Sequence, residues 1–328
     1  MTRVLFETPT WRAEAGGFFT ASSPVHVVDG LGLARCGARV LGVDVEDGSV
    51  RFDRPLGERA SGGALGVGDV VICDLMRRPQ KLSTLAAIGA DGEERWRVDL
   101  PGITTLAGAC VAEGEAWIPM VRPKLGPAIL RLLAPTERGD GETLGLERGA
   151  LWLAPHAGRV AVANPHAPEP RWGAYHLGAR GDAEPLDVGL AQRVAAADGA
   201  LFVTTRAGSL LALDEAWRTR WSVDGAALPL AAAEGRCVGV VDDAPTALDA
   251  ADGSVAWRAA ADDVSALHVD GGLVWARHPR GQRAFRLADG EEVATAPYGF
   301  GPIRRAGERF VALGNGGVVG ELVEGVSG

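Results

Sequence analysis

The chain has 328 residues, of which 47% are hydrophobic and 23% charged, and a formal net charge of −9. No apolar run approaches the ~20 residues that span a bilayer, and an acidic sum argues against generic adhesion to nucleic acid or anionic membranes. Length alone suggests two domains, but a repeat that spreads one core along the chain overrides that prior.

The first residues, Met1 to Thr10, carry one basic residue and a β-like segment, with neither an apolar signal core nor a small-residue cleavage site, so a cytoplasmic location is expected. Further along, apolar strand ends enter acidic turns at Val43-Asp-Val-Glu-Asp-Gly48, Ile88-Gly-Ala-Asp-Gly92, Leu248-Asp-Ala-Ala-Asp-Gly253 and Leu287-Ala-Asp-Gly290. Glycine supplies the positive φ of a tight hairpin and aspartate tolerates the neighbouring geometry. An aromatic follows five residues after the turn aspartate, as Phe52 after Asp47, Trp96 after Asp91 and Trp257 after Asp252; Ala294 breaks the pattern and Trp221 comes two residues late after Asp214.

Upstream of these turns lies a second hairpin signal, as in Val27-Val-Asp-Gly-Leu-Gly-Leu33, Ala195-Ala-Ala-Asp-Gly-Ala-Leu-Phe-Val203 and Leu267-His-Val-Asp-Gly-Gly-Leu-Val-Trp275. Two hairpins per unit make four strands, here lettered A to D. Placing the C–D turns at Asp47, Asp91, Asp140, Asp182, Asp214, Asp252, Asp289 and Glu324 gives eight units about 40 residues apart. The expected fold is all-β: one closed β-propeller domain over residues 1–328, with eight four-stranded blades. Its last blade, about 300–325, lacks an outer strand, which residues 3–8 are expected to supply because Arg3-Val-Leu-Phe-Glu7 reads like Ser49-Val-Arg-Phe-Asp53.

The pattern of Leu211-Ala-Leu-Asp214 and of Ala247-Leu-Asp-Ala-Ala-Asp-Gly-Ser-Val-Ala-Trp257 resembles the PQQ-like propeller repeat of quinoprotein dehydrogenases and of the propeller lipoprotein of bacterial outer-membrane assembly. The resemblance implies that Trp96, Trp221 and Trp257 pack between neighbouring blades. It does not carry the quinone chemistry across. The cofactor enzymes use a vicinal cysteine pair, whereas Cys36, Cys73, Cys110 and Cys237 stand far apart and are expected to be buried free thiols. No cofactor is expected.

Short catalytic motifs are missing too. Gly314-Asn-Gly-Gly-Val-Val-Gly320 fails dinucleotide spacing and reads as a hairpin, and Asp44-Val-Glu-Asp-Gly48 lacks the twelfth-position glutamate of a calcium loop. His156, His166 and His176 fall ten apart, but strand B, from about Arg159 to Asn164, would hold His156 and His166 roughly 20 Å apart.

Charge sorted by loop is uneven. The B–C loops hold Arg35, Arg39, Arg77, Arg78, Lys81, Arg122, Lys124, Arg171, Arg206, Arg277, Arg280 and Arg283 against Asp74, Glu169, Asp242 and Asp243, while acids dominate the A–B and C–D turns. Acids recur where blades join, at Asp53, Asp99, Asp187, Asp224, Asp262 and Asp263; as a pore-side ring they would leave that rim positive only at its periphery. The expectation is a non-catalytic scaffold whose basic loops, Arg77, Arg78, Lys81, Arg122, Lys124, Arg171, Arg206, Arg277, Arg280 and Arg283, bind an acidic segment of a protein partner, with no role for nucleic acid or membrane. The rival expectation is an enzyme, a divergent quinone-dependent oxidoreductase or a propeller lyase or hydrolase with its site in the central channel.

Overall fold

The A–B hairpins turn on two residues, and backbone dihedrals explain their composition. Both central residues have positive φ at Asp29-Gly30, Glu113-Gly114, Ala157-Gly158, Asp198-Gly199, Glu234-Gly235 and Gly271-Gly272. That is the signature of the type I′ turn, whose twist matches the flanking strands. Gly68 and Gly307 carry positive φ at the first central position, as a type II′ turn requires.

The computed structural model describes residues 3–6, 9–14, 24–57, 63–77, 82–146, 151–164, 174–178, 182–314 and 317–322. Within them the strands form eight antiparallel sheets that follow one another in the chain, the blades of an all-β, eight-bladed propeller. Blades 1 to 7 span residues 26–55, 64–99, 103–145, 152–185, 191–224, 226–258 and 266–297, and blade 8 comprises 304–322 with 11–14. Contacts group the chain into two compact units of four blades. One centres on residues 145–295, and the other on 4–144 with 296–326.

The C–D turns expected at Asp47, Asp91, Asp140, Asp182, Asp214, Asp252 and Asp289 all fall between the third and fourth strands of their blades; Glu324 lies outside the described residues. The outer strand of blade 8 is a correction. It is Trp11–Glu14, paired antiparallel to Gly317–Leu322 with Trp11 opposite Gly320, and not residues 3–8. Arg3–Val4 instead adds a fifth strand beyond Glu292–Pro297 of blade 7.

The physical reason is an aromatic dock that the repeat uses in blades 1, 2, 5 and 6. On the fourth strand the register slips by one residue just before Phe52, Trp96, Trp221 and Trp257, a β-bulge that re-aims the ring toward the next blade. The ring then lies on the next C–D turn. Trp221 Nε1 donates to the Ala250 carbonyl at 3.0 Å, and Trp257 Nε1 to that of Leu287 at 2.7 Å. A Cβ on Gly253 or Gly290 would sit 2.7 or 2.6 Å from the indole, so these turns admit only glycine for space as well as for φ. Trp11 makes the same dock on the first turn, covering Gly48 and donating to Val45 O at 3.2 Å. Phe6 instead packs against Phe300, ring centroids 5.0 Å apart and the planes tilted by 36°.

The dock also shows that Trp221 is not late. Asp214 opens its turn, bonding through its N–H to Arg218 O, as Asp249 bonds to Ser254 O. Asp214 is therefore the counterpart of Asp249, not of Asp252.

Apolar clusters fill the space between successive blades. Ala34, Leu41 and Val43 of blade 1 meet Val311, Leu313 and Val318 of blade 8, and Val70, Ile72 and Leu85 of blade 2 meet Ile118 and Leu130 of blade 3. In the other unit, Val238 and Trp257 of blade 6 meet Val274 and Phe285 of blade 7. Cys36, Cys73, Cys110 and Cys237 are all buried, and burial pushes the first three thiols up to about 12.

Candidate functional site

In an antiparallel four-stranded blade the B–C hairpin points to one end of the sheet, and the A–B and C–D turns to the other. The basic residues singled out above distribute accordingly. In one unit, Arg77 and Arg122 close strand B of blades 2 and 3, and Lys124 sits in the blade 3 hairpin. In the other, Arg206 lies in the B–C turn of blade 5, and in blade 7 Arg277 lies near the end of strand B, opposite Gln282, with Arg280 in the B–C turn. Arg78, Lys81 and Arg171, as well as the Arg77 side chain, lie outside the described residues.

Arg283 is an exception. It lies inside strand C of blade 7, opposite Ala276. Its guanidinium is bound to Glu292 and to the Ala260 carbonyl and lies over the Phe285 ring at 5.4 Å. Arg35 leaves the surface too. It is 6% exposed and donates to Gly63 O at 2.8 Å and Gly37 O at 3.3 Å. Asp74 is 1% exposed, its carboxyl pushed up by burial.

The opposite ends of the blades are less acidic than their loops suggest, because strand arginines reach the turn carboxylates. Arg51 meets Asp44 at 2.5 Å, Arg95 meets Asp91 at 2.9 Å, Arg131 meets Glu115 at 2.6 Å, Arg159 meets Asp182 at 3.0 Å, Arg236 meets Asp249 at 2.5 Å and Arg286 meets Glu291 at 2.6 Å. The other turn carboxylate oxygens cap backbone N–H groups two residues on, at Asp44, Asp47, Asp91, Asp214, Asp249, Asp252 and Asp289. These bonds hold Asp44 (first through Arg51), Asp252 (through Ser254) and Asp289 (through the Glu291 N–H) below the usual carboxylate range. Turn chemistry accounts for these acids.

By contrast, Arg122, Lys124, Arg206 and Arg280 have no carboxylate within ion-pair distance among the described residues. The joining acids Asp53, Asp99 and Asp224 lie on fourth, edge strands, not on the first strands that would face a pore. Each is held by the strand C residue opposite or beside it: Arg39 at 2.6 Å, Thr84 at 2.7 Å and Ser209 at 2.9 Å.

The histidines behave in a way the sequence did not show. His166 is outside the described residues, but His156 and His176 come together on Trp217, one edge-on at 4.7 Å and one stacked at 4.2 Å. Arg159 Nη1 donates to His176 Nδ1 at 2.8 Å, and His156 Nε2 donates to Asp214 O at 3.0 Å. Burial first, and then Arg159, hold the His176 pKa below its ordinary value.

The sequence model described as "Outer membrane protein assembly factor BamB" matches residues 149–321, more than half of the chain. The chain belongs to this family. No curated protein matches it. Among solved structures, it is similar to the crystal structure of BamB from Moraxella catarrhalis, with a TM-score of 0.65 and 16% identity over 94% of this chain and 99% of that one. It is also similar to the crystal structure of the computationally designed Ika8 protein, with a TM-score of 0.70 and 11% identity over 94% and 98%. As in the PQQ-like repeat it resembles, the repeated tryptophans of this BamB-family chain are structural, docked on the next turn. Its residues do not fit a quinone and metal centre: the cysteines are isolated and buried, and among the described residues no three metal-ligating side chains converge.

Proposed function

We propose that the protein is a non-catalytic binding scaffold whose B–C loops recognise an acidic segment of another protein. One observation carries this: Arg122, Lys124, Arg206 and Arg280 of those loops are left without carboxylates among the described residues, while the arginines of the opposite turns are committed to theirs. Guanidinium and ammonium groups held on short turns are pre-positioned donors for carboxylates. Pro123 and Pro127 flank the blade 3 turn, which loses little freedom on binding. The family's description as an assembly factor supports a role in holding another protein. Four buried thiols are compatible with the reducing cytoplasm, where we place the protein.

The test is titration of a short labelled Glu/Gly peptide onto wild type and an Arg206→Glu, Arg280→Glu variant at low and high salt. The variant should bind about five- to tenfold more weakly and lose most of its salt dependence. Equal binding by both proteins at every salt concentration would sink the proposal.

A further inference from the structure

The hairpin tip of blade 3 combines three features found together at no other B–C turn among the described residues. Strand B of this blade, Glu115–Arg122, and strand C, Gly126–Leu132, are joined by a tight turn in which Leu125 N–H donates to Arg122 O at 3.3 Å. Pro123 occupies the second position and Lys124 the third, with φ of 68°. A type II turn puts glycine or asparagine there, and a lysine held in the left-handed region stores strain that the surrounding structure must impose.

The imposed geometry displays apolar surface. Leu125 is 68% exposed and Val121 56%, two of the few large hydrophobics on the surface. Arg122 and Lys124 lie between them without a carboxylate, and Arg122 Nε is buried without an acceptor among the described residues. The hairpin is braced at its base. Ile103–Thr104 pairs with Met120 and Val121, and Thr104 is tied through its N–H to Ser83 Oγ of blade 2 at 3.0 Å.

We infer that this tip is the anchor of the binding surface, and that it takes an acidic segment carrying a large apolar side chain, which covers Leu125 and Val121 while its carboxylates pair with Arg122 and Lys124. This rests on the binding role proposed above. Charge complementarity fixes the sign of the partner, and the two exposed aliphatic side chains fix its second character: apolar contacts in a pre-formed spot give most of the affinity, and charges around them give orientation. The Lys124 strain fits a display function, since a loop that only joined two strands would be served better by glycine.

The experiment uses the full chain and three short labelled peptides, one of Glu and Leu, one of Glu and Gly, and one of Ser and Leu, followed by fluorescence anisotropy. Wild type should bind the Glu/Leu peptide about tenfold more tightly than the Glu/Gly peptide, and the Ser/Leu peptide weakly. Leu125→Ser should erase the Glu/Leu advantage and leave Glu/Gly binding unchanged. Lys124→Glu should weaken both acidic peptides. Lys124→Gly, which suits the backbone, should weaken them less while keeping or raising the melting temperature, separating lost charge from lost fold. If Leu125→Ser binds Glu/Leu as wild type does, the tip is not the anchor, and Glu/Gly binding that still falls on reversing Arg206 and Arg280 leaves the wider role standing. If wild type binds neither acidic peptide, both fall.

Discussion

Trp217 stands where a sister turn has glycine. The four-residue turn of blade 2 bonds Gly92 N–H to Gly89 O, and that of blade 5 bonds Trp217 N–H to Asp214 O, both at 2.9 Å. Gly92 has φ of 82° and Trp217 of 62°, a conformation that costs a non-glycine residue ~1–2 kcal/mol. The reason lies in blade 4, whose outer strand Ala183–Pro185 has no aromatic to send forward. The dock is reversed, and the turn sends its own ring back to His156 and His176. Because Arg159 can donate only to an unprotonated Nδ1, this clamp needs His176 neutral. Its folded pKa is below 6.5, so in falling pH the unfolded chain takes the proton first; the contribution to stability is complete above about 6.5 and is lost as pH drops toward the folded value. Glu184, 3.7 Å from His176 Nε2, and Asp182 oppose the effect without reversing it. His278, lowered by burial and then by Arg283, adds a slope of the same sign. Urea midpoints above and below pH 6.5 should show this loss, and His176→Gln should flatten much of it; an unchanged slope would exclude the clamp as its source. Trp257, 6% exposed and bonded to Leu287, tests the forward dock: its replacement by alanine should cost about 3–5 kcal/mol in denaturant unfolding.

At the level of the strand, the repeat was legible wherever glycine and aspartate force a turn, because those residues report backbone geometry directly. Hence seven C–D turns fell where Asp47, Asp91, Asp140, Asp182, Asp214, Asp252 and Asp289 placed them. The closing strand was misplaced by a few residues because strand periodicity cannot distinguish Arg3-Val-Leu-Phe-Glu7 from Trp11–Glu14; only the dock on Gly48 does, and it joins residues far apart in sequence. Trp11→Ala should therefore lower the melting temperature more than does Arg12→Ala, a change at an exposed position of the same strand, and equal effects would argue against a structural role for the ring. The basic loops were legible as composition, but Arg35 and Arg283 were not, since a cation on a strand can turn inward to carbonyls or a cross-strand carboxylate. Leu125 gave no sequence signal, and the spacing of His156 and His176 did not show that they meet on Trp217: exposure and stacking depend on neighbouring strands.

Across the whole chain, one local rule recurs with variations: a bulge aims a ring at the following turn, and a glycine there yields space. The charge pattern has two causes that sequence alone merges. Acids collect at C–D turns because they cap N–H groups, and arginines on adjacent strands then neutralise them, so they carry little outward field. Among the described residues Arg122, Lys124, Arg206 and Arg280 at the B–C turns have no such carboxylate to neutralise, which is why the proposed binding role rests on them.

The pairing of Trp11 with Gly320 also fixes an order of assembly. During synthesis Trp11–Glu14 has no partner until Gly317–Leu322 has left the ribosome, so blade 8 completes last, and a stalled or truncated chain leaves both margins of Trp11–Glu14 unpaired. Those margins are a template for the same strands in another unfinished copy, which makes premature termination of this protein a route to aggregation as well as to loss.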